Sequence, residues 1–218
     1  MSLVEFIEGP LWIFSAWFFV IFVVWRLGNI LFSGRGLPHT QAQPKGSPAL
    51  GALRTNLEHF APRSPFTGSA KVWFVTIAGY AFHIGLFVLL FFAAPHVAFI
   101  EEHILGVGWP PMSRTAFIIS AQVAFAGLLV LWIRRFLDPV VRLISRPDDH
   151  IAAGLTFIVM LTGCMALGEQ SEALRLTHLL TVQAWLIYFP FSSLMHTFTW
   201  PLSRGATGAL AGRRGARM

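Results

Sequence analysis

Apolar residues gather in five long stretches, Leu11–Phe32, Val72–Ala94, Thr115–Ile133, Ile151–Leu167 and Leu176–Pro201, separated by short polar segments. Each is long enough to carry a helix across the roughly 30 Å of hydrocarbon in a bilayer. The first contains WIFSAWFFVIFVVW, which is longer than a signal-peptide core, has no basic leader and follows Glu5 and Glu8, so a retained helix is expected. The longest polar segment, Gly34–Ser69, is rich in Pro and Gly. Within it, Ala49–Phe60 (ALGALRTNLEHF) places Leu50, Leu53, Leu57 and Phe60 at spacings of three and four. That pattern predicts a short amphipathic helix on the membrane surface or against a partner. No internal repeat or low-complexity tract interrupts the pattern. The expected fold is all-α: a polytopic bundle of five transmembrane helices over residues 1–204, a connecting loop at 34–70 and a basic tail at 205–218.

Composition sharpens this picture. Of 218 residues, 55% are hydrophobic and only 12% charged, about half the charge of an ordinary soluble domain. The basic residues are not scattered. Arg26, Arg35, Lys45, Arg54, Arg63 and Lys71 flank the first connection, and Arg134, Arg135, Arg142 and Arg146 the third. Arg204, Arg213, Arg214 and Arg217 follow the last stretch, which leaves Arg114 and Arg175 of the 16 for the opposite side. The alternate loops carry Glu5, Glu8, Glu101, Glu102, Glu169 and Glu172. The positive-inside rule then predicts an outer N-terminus and a cytoplasmic C-terminus, in a bacterial or archaeal cytoplasmic membrane. The pI near 10.7 is thus a mark of topology and of contact with anionic lipid. It is not a nucleic-acid footprint, which would interleave basic and aromatic residues on one face. The single Cys164 excludes a disulfide framework and any cysteine-ligated cluster within this chain.

Eight histidines carry the candidate chemistry. His39 and His59 lie in the cytoplasmic loop and His103 beside two glutamates, where a solvated imidazole needs no special role. His150 follows Asp148 and Asp149 at a helix start, which reads first as capping and leaves room for proton handling or a propionate contact. His83 lies inside an apolar stretch, where an ionisable group is costly and calls for a partner. His178 and His196 are 18 residues apart, which on one uninterrupted helix is five full turns and roughly 27 Å. His83 and His196 would share an inner depth, and His96 and His178 an outer one. Such pairs suit two stacked bis-histidine haems. His96 follows Pro95 and falls about 140° away from His83 in helical phase, so either a non-helical turn re-aims it or it is an exposed loop histidine.

AFHIGLFVLLFF followed by APH, and LTHLLTVQAWLIYFPFSSLMH near the C-terminus, resemble the respiratory nitrate reductase gamma subunit. LVLWIRRFLDPVVRLISRPDDH and RSPFTGSAKVWF resemble a relative, the membrane M subunit of the dissimilatory sulfite reductase-linked complex. The resemblance runs from about Arg63 to Trp200. It implies five transmembrane helices and two b-type haems, with His83 and His196 holding the inner haem and His178 serving the outer. The family's second outer ligand would fall at Ala93 here, so either His96 substitutes or only one haem is kept. The resemblance further implies quinone chemistry near the outer haem, where Arg114 is a candidate contact and a helix-flanking anchor is the plain alternative. Partners would be a cytoplasmic iron–sulfur subunit and a catalytic subunit.

The expected function is therefore that of a membrane cytochrome b subunit, the electron-transfer part of a quinol:acceptor oxidoreductase. A non-redox membrane anchor with hydrogen-bonding histidines and a proton-relay transporter are the rival classes. No hydrolytic triad, metal-hydrolase spacing or phosphate loop is present.

Overall fold

A computed structural model of the chain describes residues 1–32, 43, 45–60, 69–167 and 171–216. His39, Arg35, Arg63, Glu169 and Arg217 lie outside them. Among the described residues every regular element is helical. In chain order these are α1 (Leu3–Glu8), α2 (Pro10–Phe32), α3 (Pro48–Phe60), α4 (Ala70–Phe92) and α5 (Ala94–Ile100), the last running into a π-turn at Glu101–Leu105. Then come α6 (Arg114–Leu137), α7 (Pro139–Ile144), α8 (Pro147–Ala166), α9 (Glu172–Tyr188) and α10 (His196–Arg213). Local chemistry starts several of them. Ser2 and Glu5 form a reciprocal capping box on α1, the Ser113 hydroxyl accepts from Ala116 N–H at α6, and Asp138 caps α7.

Four helical segments, Leu3–Phe32, Ala70–Phe92, Arg114–Leu137 and Pro147–Ala166, are long and apolar enough to cross a membrane. The fifth apolar stretch is not one helix. After the 17 residues of α9 the chain passes through two 3₁₀ turns, Phe189–Phe191 and Ser193–Met195, before α10 begins at His196. Pro190 has no N–H to continue the ladder, and Ser192 turns the backbone extended (φ −106°, ψ 175°) while its hydroxyl accepts from Leu194 N–H. The expectation that His178 and His196 ride one continuous helical stripe is therefore corrected. The boundary at 204/205 falls inside α10.

The chain divides into two units, Met1–Ser15 with Ser69–Ile187, and Ala16–Gly68 with Tyr188–Met218. In the first, α4 and α6 run antiparallel at very close range. A Cβ on Gly127 would lie 2.6 Å from the Ala78 carbonyl, and one on Gly85 would lie 2.8 Å from Ala124 Cβ. Small residues at these positions are what let two apolar backbones approach. Around that contact Leu89, Phe117, Ala121, Ala124, Leu128 and Met160 form the buried core. One end of the unit is tied by charge. Lys71 at the start of α4 meets Asp138 at 2.9 Å, Arg134 sits 3.5 Å from the same carboxylate, and Arg135 lies 3.4 Å from Asp149. The Lys71 hydrogen bond, helped by the Val141 and Val140 N–H groups, lowers the Asp138 pKa to about 2. At the other end Arg175 of α9 pairs with Glu8 of α1, and the buried Gln183 donates to the Ile7 carbonyl at 2.7 Å.

In the second unit α3 lies along α10, where Gly51, Gly208 and Gly212 bring main chain against main chain. Arg204 Nε–H donates to the Thr55 carbonyl at 3.2 Å. Leu50, Leu53 and Leu57 are 58%, 57% and 60% exposed. Phe19, Phe189 and Phe198 cluster with ring centres 5.2–6.1 Å apart, and Arg26 donates to the Pro190 carbonyl.

Candidate functional site

The site grows out of how α4 ends. A helix leaves its last carbonyls without intrahelical partners, and each must be satisfied elsewhere. Ala93 turns extended (φ −66°, ψ 135°) and Pro95 restarts the chain as α5. Pro95 cannot donate to the Phe91 carbonyl, so Trp109 Nε1–H does so at 2.8 Å. His96 N–H goes to Ala93, so the Phe92 carbonyl accepts from Met112 N–H at 2.8 Å instead. The Leu89 carbonyl accepts from Ala93 N–H at 3.2 Å, and the His96 side chain adds a partner for it and for the Leu90 carbonyl, with Nδ1 3.1 Å from both. That bond turns the imidazole back toward α4. A carbonyl oxygen can only accept, so the hydrogen sits on Nδ1 and the ring's lone pair on Nε2.

His178 enters from α9 and packs against α8. Its Nδ1 lies 3.1 Å from Thr162 Oγ1. Across the ring, a Cβ on Gly163 would come within 2.9 Å of His178 Cε1 and 3.3 Å of Nε2. Glycine at 163 is thus the room in which the imidazole stands. The His96 and His178 ring centres are 6.3 Å apart, with planes inclined by 24°. Both rings are half-buried. The sequence left His96 open between a re-aimed ligand and an exposed loop residue; the extended backbone at Ala93 brings it to His178.

This donor set fits an axially ligated haem. His96 and His178 would be the residues to hold its iron, since two imidazoles each bonded to one metal at about 2 Å would have ring centres roughly 6 Å apart. Both Nδ1 atoms are engaged by oxygen, the outer-sphere arrangement that fixes the tautomer of a metal-binding histidine. Among the described residues no three His, Cys, Asp or Glu side chains converge as a structural zinc site requires.

The remaining candidates stand as follows. His83, in the first unit, has Nδ1 at 2.8 Å from the Gly79 carbonyl one turn earlier. His196, in the second, has Nδ1 at 2.7 Å from the Ser193 carbonyl. Both rings therefore carry the Nδ1 hydrogen, as His96 does. His150 differs: Trp132 Nε1–H donates to its Nδ1 at 3.3 Å, so its hydrogen sits on Nε2. It also packs on Phe136, with ring centres 4.6 Å apart. His103 stacks edge-on against Phe99 and lies 4.0 Å from Glu102. Arg114 is exposed in the first turn of α6. Sequence reasoning missed Thr162 and Gly163. The available signal was a hydroxyl and a glycine adjacent in an apolar stretch, at the depth that His178 reaches from the next helix.

No family model matches the chain. Over 187 residues it is 27% identical to a chain from Nitratidesulfovibrio vulgaris strain Hildenborough that is named only "Protein", a match spanning 84% of this chain and 77% of that one.

Proposed function

We propose that the chain is a membrane cytochrome b subunit that exchanges electrons between the quinone pool and a cytoplasmic iron–sulfur partner. The observation that carries this reading is the His96–His178 pair, 6.3 Å between ring centres, with each Nδ1 held by oxygen. Haem bound between them supplies reversible one-electron transfer at iron. The residues of the chain hold and tune it: His96 and His178 orient Nε2 lone pairs, Gly163 leaves space for one ring, and the helix-end carbonyls fix the other. The sequence resemblance alone assigns His83 and His196 to a second haem.

Topology supports the same reading. The His96–His178 end of the first unit lies opposite the end that carries Lys71, Arg134 and Arg135. The positive-inside rule assigns that basic end to the cytoplasm, which puts the pair toward the outer face, with five spans in all and α9 contributing to the fifth. Arg114, opening α6 at the outer end, is the proposed quinone contact. The terminal acceptor belongs to the partner subunits.

The test is haem content. Full-length protein produced with ample haem and its native companions is expected to give two b-type haems per chain by the pyridine haemochrome assay. A colourless preparation would overturn the proposal in favour of a non-redox anchor.

A further inference from the structure

Thr162 stands where one side chain can govern how His178 binds. Thr162 is buried, at 9% exposure, and its hydroxyl bonds within the protein. It has one hydrogen and two lone pairs. Its oxygen lies 2.9 Å from the Ile158 carbonyl, 3.1 Å from the Val159 carbonyl, 2.9 Å from Thr181 Oγ1 and 3.1 Å from His178 Nδ1. Thr181 also reaches the His178 main-chain carbonyl at 2.8 Å, so the same pair of threonines holds both ring and backbone of that residue. The His178 ring also bonds the Val159 main-chain carbonyl, which can only accept, so the imidazole is the donor in that contact.

The two sides of the site differ in this respect. His96 donates to main-chain carbonyls alone, whereas His178 meets a replaceable hydroxyl at Nδ1 beside the Val159 main-chain carbonyl. We propose that Thr162 is a positioning residue for His178, setting its tautomer and the strength with which Nε2 donates to haem iron. This rests on the reading that His96 and His178 hold a haem. An imidazole whose N–H is hydrogen-bonded is the more basic ligand and favours the oxidised iron, so loss of the acceptor raises the reduction potential.

The experiment is a potentiometric optical titration of the full-length protein as wild type, Thr162→Val, Thr162→Ala and Thr162→Ser. In Val or Ala the midpoint of one haem, the one removed by His178→Ala, is expected to rise while the other stays put. Loss of that haem alone in either variant supports the same role. The Ser variant keeps the hydroxyl and is expected to titrate as wild type. Unchanged midpoints in an assembled Val or Ala variant overturn the inference, as does a Ser variant displaced as far as Val. Failure of both Val and Ala to accumulate assigns Thr162 to helix packing and overturns it too. The haem reading itself fails differently, when the wild type holds no haem that both His96→Ala and His178→Ala remove.

Discussion

His96 serves two ends at once. Its Nδ1–H serves the Leu90 carbonyl and shares the Leu89 carbonyl with Ala93 N–H where α4 stops, a contact made whether or not anything binds Nε2. His96→Ala is therefore expected to loosen that helix end by about 1 kcal/mol, the worth of an ordinary hydrogen bond, as well as to remove a ligand. Gly163 offers a cleaner probe. A Cβ there meets the His178 ring at 2.9 Å, so Gly163→Ala is expected to perturb the absorbance of the haem that His178 holds and leave the other unchanged. An unaltered spectrum would remove Gly163 from the site. Asp138 supplies a pH-dependent contact at the opposite end. Its pKa, lowered to about 2 in the folded chain, lies below the unfolded value of about 3.9. The stability it contributes is fully present above that unfolded value and is lost as pH falls through the folded one. Thermal unfolding of the detergent-solubilised protein is expected to weaken over that acidic window, and Asp138→Asn to flatten the dependence.

Much at the scale of elements could be read from apolar runs. α2, α4, α6 and α8 lie close to the stretches expected from the sequence, because four runs of Phe, Leu, Ile and Val leave little choice of helix or register. The turns were harder to foresee. Counting thirteen helical steps from His83 to His96 left the ring's direction open, because extended backbone at Ala93 breaks the helical phase. The interruption before His196 had a visible signal, Pro190 followed by Ser192 and Ser193, and apolar continuity masked it. Hydrogen-bond partners such as Thr162 belong to neighbouring helices, so no count along one segment finds them. The α4–α6 contact yields a prediction of its own. Gly127→Val would place side-chain atoms against the Ala78 carbonyl and Phe82 N, both backbone and both at 2.6 Å from a Cβ. A loss of about 1–3 kcal/mol or more is expected, read as a lower denaturation midpoint in detergent.

For the whole molecule, the proposed topology puts 14 of the 16 basic residues on the cytoplasmic side and Glu5, Glu8, Glu101, Glu102, Glu169 and Glu172 on the other. Removing Gly205–Met218 is expected to weaken co-purification with a cytoplasmic partner. It also cuts α10 before Gly208 and Gly212, which pack on α3, so the deletion is judged with the folding of the α3–α10 pair in hand. Unchanged co-purification would leave the tail to lipid and to α3. The account stands or falls on two imidazoles gripping the same iron. Reduced-minus-oxidised spectra of His96→Ala and His178→Ala test this most directly: both variants are predicted to lose the same haem component and retain the other. Loss of different components, or of none, would contradict it.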